Sequence, residues 1–371
     1  MILVTGSQGQ IGCELVTALR RRYGQSQVLA TGRRPLAIAA NTLAQPNKNE
    51  ESLLPYQILE VTQYERFQKL IETRKIDTIY HLAAILSAKG ERQPEACWHT
   101  NIEGLRIVLE LARAYHLKIF WPSSIAVFGP HTPKLNTPQT TIEDPVTMYG
   151  ITKVSGEMLC QYYAQQFGVD VRSLRFPGII SHQTLPGGGT TDFAVEVFYA
   201  ALKYGHYISF VRPDTRLPMM YMADAIRAIA ELMEAPAHSL TVRSSYNLSG
   251  VSFSMAELVA EIQTHLPHFT CEYVPDYRQA IADSWPTVID DTAARQDWDW
   301  RPRYDLPAIV REMLQHLEER FEKERFEKQQ SEKQQSHNKQ LKEVSSCLPP
   351  LPTNKPLRTS NNLDFTNRSA S

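Results

Sequence analysis

Short apolar runs alternate with amphipathic stretches through the first half of the chain. The runs at residues 2–5, 28–31, 57–61, 78–82, 118–121 and 171–176 are bounded by Gly, Pro or polar residues, which predicts strands. Between them, residues 11–22, 64–74, 100–115 and 149–167 carry apolar positions at helical spacing. Strand and helix in regular alternation is the pattern of a doubly wound parallel sheet, whose strands are buried on both faces, so an α/β fold is expected. The polar stretch 33–55 reads as a loop with an insertion.

After Pro177 the alternation weakens and short elements punctuated by Gly and Pro follow. The expected organisation is a dinucleotide-binding domain over 1–180, rejoined by 219–250, with a smaller C-terminal substrate-binding lobe over 181–218 and 251–320. Residues 193–204 form one further expected helix, and Ser254 followed by Glu257 forms a capping box that opens another over 255–264. From residue 321 the chain turns polar and repetitive. Such a segment cannot bury enough apolar area to offset its ordering entropy, so 321–371 is expected to be a disordered tail after a helix that runs past Glu319.

Composition narrows the function classes. Of the 371 residues, 42% are hydrophobic and 21% charged, ordinary proportions for a soluble enzyme. A formal net charge of −1 supplies no basic excess for a phosphate backbone, so nucleic acid is not expected as a partner. Cys13, Cys97, Cys160, Cys271 and Cys347 are scattered without metal-ligand spacing, which implies reduced thiols and no structural zinc. No apolar run reaches the length of a membrane span, and the first strand is expected to begin at Ile2, so a cytoplasmic location is expected.

The candidate chemistry begins at ILVTGSQGQIG, where Gly6, Gly9 and Gly12 follow a strand and enter a helix. Glycine permits a tight turn and close backbone approach, and the helix start offers unpaired N–H donors, which together suit a dinucleotide pyrophosphate. At the end of the second strand an acidic residue usually holds the adenosine ribose 2′-OH; Gly32 stands there, followed by Arg33 and Arg34, which could take a 2′-phosphate. These residues leave NAD and NADP both open as the cofactor. Glu60 and Val61 are expected beside the adenine, and the small residues Ala83 and Ala84 after Leu82 would let a cofactor cross the sheet edge. Ser123 and Ser124 close the fifth strand. Tyr149 and Lys153 lie four apart and so share a helix face, where the lysine ammonium could favour the ionised phenol. Bringing a tyrosine from about 10 to about 7 requires roughly 4 kcal/mol of differential stabilisation. Spacing alone does not identify the pair, since Tyr199 and Lys203 repeat it.

With GxxGxxG at residues 6–12, HLAA at 81–84, PSS at 122–124 and YGITK at 149–153, the chain resembles the extended short-chain dehydrogenases/reductases. Longer strings carry a narrower resemblance: RFPGIIS at 175–181, PGGGTTDFAVEVF at 186–198, PDTRLPMMYMADA at 213–225 and SWPTVIDDTAARQDW at 284–298 are similar to the L-threonine 3-dehydrogenases of that superfamily. The similarity spans about residues 1–318. It implies a Rossmann-type sheet and oxidation of the L-threonine 3-hydroxyl to L-2-amino-3-oxobutanoate, with hydride passing to NAD. Ser124 and Tyr149 would hold the hydroxyl, Tyr149 would take its proton, and Lys153 would bind the nicotinamide ribose and lower the phenol pKa. Gln8, Gln10, Ile11, Asn101, Pro177 and Ile179 would join the cofactor contacts. Ser87, Thr191 and Asp192 would contact substrate, with Gly188 and Gly189 letting backbone come close and Arg216 and Met220 as further candidates for the pocket wall. Thr191 also suits a helix N-cap, and Arg216 an ion pair. No catalytic metal is implied, and a homodimer through the helix beginning at Tyr149 and its predecessor is. A nucleotide-sugar epimerase or dehydratase would use the same Ser124, Tyr149 and Lys153, but the chain reads RFPGIIS and PGGGTTDF where those enzymes carry RYFN-like strings. A non-catalytic cofactor-binding regulator would often lose the tyrosine or the lysine; both are present.

Overall fold

Leu3 and Val4 are neighbours on the first strand, both fully buried, yet they enter different cores. Successive side chains of a strand point to opposite faces, so a strand apolar throughout is one covered on both sides. The computed structural model describes residues 1–35, 55–185, 187 and 189–346. Its first half runs β1 (Ile2–Thr5), α1 (Gln10–Tyr23), β2 (Val28–Gly32), β3 (Tyr56–Ile58), α2 (Tyr64–Arg74) and β4 (Thr78–His81). Then come α3 (Ser87–Arg92), α4 (Pro94–Trp98), α5 (Gly104–Tyr115), β5 (Lys118–Ser124), α6 (Met148–Phe167) and β6 (Val171–Phe176). The second half holds β7 (Gly178–Ile180), α7 (Phe193–Tyr204), β8 (His206–Ser209), β9 (Arg216–Tyr221), α8 (Met222–Glu234) and β10 (Tyr246–Asn247). It closes with β11 (Val251–Ser254), α9 (Met255–His265), β12 (Thr270–Tyr273), α10 (Arg278–Ser284), α11 (Thr292–Trp298) and α12 (Leu306–Ser346).

Among the described residues, seven strands form one sheet in the order β10-β6-β5-β4-β1-β2-β3, every neighbouring pair parallel. On one face Phe67 of α2, Leu105 of α5 and Tyr163 of α6 share a core with Leu3, Ile79 and Trp121. On the other, Leu15 of α1 and Ile229 of α8 pack with Val4, Tyr80 and Phe120. The doubly wound expectation is met. Two small sheets, β11-β9-β7 and β12-β8, come from the chain after Pro177. The Ser254–Glu257 capping box is formed reciprocally, Glu257 N–H donating to Ser254 Oγ at 3.2 Å and Ser254 N–H to the Glu257 carboxylate at 2.9 Å.

Several expected boundaries move. Pairing of β3 with β2 stops at Ile58, so Glu60 and Val61 lie past the strand end; Leu59 still donates to Gly32 O at 2.9 Å. The helix expected over 100–115 is preceded by a π-helical turn, His99–Glu103, because the chain there continues from α4 without a break. The described residues up to Glu318 form one compact unit, and those from Glu319 to Ser346 belong to a second. The stretch expected to be disordered from 321 is helical as far as Ser346, where Arg320–Glu324 and Lys323–Glu327 pairs at i,i+4 spacing support it. Most of the expected insertion, and residues 347–371 with Cys347, lie outside the described residues. No described helix is long and apolar enough to cross a membrane.

Candidate active site

The strand order reverses between β1 and β4, and a cleft opens at their carboxyl ends, where open α/β sheets bind ligands. Its floor is the glycine turn. Gly6 has φ +66°, and a Cβ there would lie 2.7 Å from Ala83 N and from Leu82 C, so only glycine lets this turn press against the β4 end. Gly9 then caps α1, whose first turn holds no acidic residue, leaving its N–H groups and partial positive charge toward the cleft.

One half of the cleft, about 220 Å³, is lined by the glycine turn, the β2 end with Gly32, Arg33 and Arg34, and Glu60, Val61, Leu82, Ala83 and Ala84. The other half, about 340 Å³, adds Gln10, Ile11, Gly12, Pro177 and Ile179. Ser87, Ser124, Tyr149, Lys153, Thr191 and Asp192 line the same half. The walls of this half bring together residues from six separated stretches of sequence.

Ser124 and Tyr149 reach one cleft wall because two backbone segments come close. Thr147 caps α6, its Oγ1 accepting from Gly150 N–H at 3.1 Å. A Cβ on Gly150 would fall 2.2 Å from Ala126 O, so glycine is needed for α6 to start against the turn that follows β5. Ser124 ends β5, accepts from Ala126 N–H at 3.2 Å and lines the same cleft wall as Tyr149. Lys153, one turn on, is 2% exposed; its Nζ donates to Pro122 O at 2.5 Å and lies 4.4 Å from the Trp121 ring centroid and 5.4 Å from that of Tyr149.

Burial dominates the electrostatics. Desolvation pushes the Tyr149 phenol well up, with the Ser124 hydrogen bond opposing and Cys97 adding to the rise. The Lys153 ammonium is pushed down to about 8 by burial, against Cys160, Glu157 and Cys97. In this geometry burial outweighs what favours the ionised phenol. The expected depression of Tyr149 needs further positive charge beside it. His81, hydrogen-bonded to Thr5 at 2.9 Å, is held neutral by burial and by Lys153, its pKa lowered to about 3.

Not every expected residue reaches the cleft. Asn101 is buried, and its amide serves Ile85 N–H, Ile85 O, Cys97 Sγ and Thr152 Oγ1, tying the π-helical turn to the chain after β4 and to α6. Arg216 forms the ion pair, with Glu257, and donates to Ser252 O at 2.9 Å. Met220 is buried in the core beneath the sheet. Gly188 lies outside the described residues. Tyr199 donates to His182 O at 3.4 Å and Lys203 sits 5.9 Å from its ring centroid, a pair on α7 away from the cleft walls. Thr191 does not cap α7: Asp192 occupies the N-cap position and accepts from Gly189 N–H at 2.6 Å, bracing the loop. Sequence reasoning missed Trp285 and Thr184, both in the cleft wall. Trp285 lies inside one of the resembling strings but far along the chain, with no local signal pointing to the site.

A family model described as the NAD dependent epimerase/dehydratase family matches residues 2–249. An uncharacterised epimerase/dehydratase of Staphylococcus haemolyticus (strain JCSC1435) is 48% identical over 323 residues, covering 86% of this chain and 98% of that protein. Among solved structures, L-threonine dehydrogenase from Clostridium difficile is 46% identical with a TM-score of 0.81, over 86% of this chain and 97% of that one. A monomeric L-threonine 3-dehydrogenase from a metagenome is 48% identical with a TM-score of 0.79, over 85% and 98%. The matched span holds the glycine turn, the strand ends around it and the Ser124–Tyr149–Lys153 centre, and the chain belongs to the NAD-dependent epimerase/dehydratase family of enzymes.

Proposed function

We propose that this enzyme oxidises the 3-hydroxyl of L-threonine to L-2-amino-3-oxobutanoate, with hydride transfer to NAD, a step in threonine breakdown toward glycine. The observation that carries the reading is that Ser124, Tyr149 and Lys153 line the same cleft as Ser87, Thr191 and Asp192. Similarity to solved L-threonine dehydrogenases at 46% and 48% identity supports it. NAD fits the other walls: a Cβ at Gly6 would close the turn on which a pyrophosphate rests, and the α1 N-terminus supplies its donors. Bound NAD supplies the hydride acceptor and a positive ring charge near Tyr149.

The chain's own residues do the rest. Ser124 Oγ and Tyr149 Oη hold the substrate hydroxyl, and Tyr149 takes its proton, since a hydride leaves carbon readily only once the alkoxide forms. Lys153, fixed on Pro122 O, binds the nicotinamide ribose and adds positive charge. Asp192 faces the substrate ammonium while Ser87 and Thr191 offer hydroxyls to its carboxylate. Holding the alcohol carbon in place supplies much of the rate.

Purified protein is expected to reduce NAD in the presence of L-threonine and not of UDP-sugars, read by nicotinamide absorbance. No threonine-dependent signal with either NAD or NADP would remove the assignment. The homodimer is part of the same proposal. Ile151, Met158 and Tyr162 lie exposed along one face of α6, an apolar stripe of the kind a partner helix covers. Sedimentation equilibrium is expected to give twice the 42.2 kDa chain mass, and a single-chain mass at micromolar concentration would place this protein with its monomeric relative.

A further inference from the structure

We infer that the adenosine end of the cleft accepts the 2′-phosphate of NADP, so that this chain binds NADP at least comparably to NAD; the inference rests on the dinucleotide role of the cleft proposed above. In such folds the selecting residue stands about twenty positions beyond the glycine turn, an acid for the 2′-OH or a nearby arginine for a 2′-phosphate. Here that position is Gly32, the last residue of β2. It offers no side chain, and the space a side chain would fill is taken: a Cβ on Gly32 would lie 2.8 Å from Tyr56 Oη and 2.9 Å from Gln8 Oε1.

The same two side chains hold the turn after β2. Tyr56 Oη donates to Arg34 O at 2.5 Å and Gln8 Nε2 donates to it at 3.1 Å. That turn is therefore pinned at one carbonyl by two bonds, one from β3 and one from the glycine turn. Pinned in this way, Arg33 and Arg34 both line the cleft and both stay exposed. Their guanidinium forks match phosphate oxygens, whereas a ribose hydroxyl gains little from two cations. Glu60 is the acidic residue in this wall among those described, and it comes from beyond β3 and not from the ribose-selecting position. A phosphate dianion here meets two cations and one anion. An acidic residue in place of Gly32 would cancel that excess of positive charge.

Equilibrium titration of the full-length protein with NADP, NAD, 2′,5′-ADP and 5′-AMP, followed by intrinsic fluorescence, tests this without turnover. NADP is expected to bind with a dissociation constant less than about tenfold above that of NAD, and 2′,5′-ADP tighter than 5′-AMP. Replacing both Arg33→Ala and Arg34→Ala is expected to shift the NADP:NAD affinity ratio toward NAD by about tenfold or more, the size of a lost charge-assisted contact. The NADP:NAD affinity ratio is also expected to fall with added salt, because both arginines are exposed. The inference falls if NADP binds tenfold or more weakly than NAD in the parent protein, or if the double variant leaves the ratio within about threefold. Threonine oxidation with NAD alone would overturn this inference and leave the proposed function standing. Tight NADP binding without threonine turnover would do the reverse.

Discussion

Tyr149→Phe is expected to lower threonine-dependent turnover by about a hundredfold to ten-thousandfold, the usual contribution of a positioned acid–base group. Dinucleotide affinity and melting temperature are expected to change little. Phenylalanine keeps the ring that lies beneath the Lys153 ammonium and loses only the hydroxyl. The pH profile carries a second expectation. Burial raises the phenol pKa, so at neutral pH the base form is the minority and its share grows about tenfold per pH unit below that pKa. The acid limb of log kcat/KM should therefore rise with a slope of about one as pH increases, and Tyr149→Phe should flatten it. Lys153 opposes this at the alkaline end, because an ammonium titrating near about 8 loses its charge as pH rises through that value. Turnover within tenfold of the parent enzyme would remove Tyr149 from the proton-transfer role.

Arg175→Met is expected to cost about 3–5 kcal/mol of stability, the range for removing one partner of a buried ion pair. Arg175 on β6 is 2% exposed and Glu157 on α6 3%. The guanidinium donates to Glu157 through Nε at 3.0 Å and Nη2 at 2.6 Å, to Gln139 O and Asn247 Oδ1 through Nη1, and to Glu143. Ser123 Oγ also donates to Glu157, which links the cluster to the residue beside Ser124. Without the cation, two carboxylates remain buried together. Burial and Glu157 already raise the Glu143 pKa to about 7, even with Arg175 present to lower it. In the variant the Glu143 carboxyl should rise further. A raised folded pKa means that the penalty applies above it and eases as Glu143 protonates, so the loss in melting temperature should narrow from pH 8 toward pH 6. Adding Glu157→Gln should recover part of the loss. A pH-independent loss under about 1 kcal/mol would show that the cluster contributes packing and not charge compensation.

The main sheet could be read from sequence because each of its strands is apolar on both faces, and residues such as Leu3 and Val4 leave no solvent side to dilute the signal. The glycine turn and the Tyr149–Lys153 helix were legible for a similar reason: local spacing and helix geometry decide where those groups point. Contacts between distant segments were not. Nothing near Asn101 shows that its amide will be spent on Ile85 and Thr152, nor near Trp285 that it reaches the cleft. The effect of burial on Tyr149 was hidden too, since spacing reports that a lysine is near but not that its ammonium bonds Pro122 O. For the helix to Ser346, composition argued against a packed core, whereas i,i+4 ion pairs need none.

The last strand of the sheet, β10, pairs with β6 although all of β7 through α8 lies between them in the chain. During synthesis β6 therefore leaves the ribosome with one hydrogen-bonding edge open, and that edge stays open until Tyr246 and Asn247 emerge. Asn247 is also a partner of Arg175, so the buried cation waits for the same moment. Closing so long a loop makes for slow, non-local folding, and an open parallel edge is a place where nascent chains can associate. A nascent chain halted before Tyr246 should thus expose β6 to chaperones, and release from them should coincide with docking of β10.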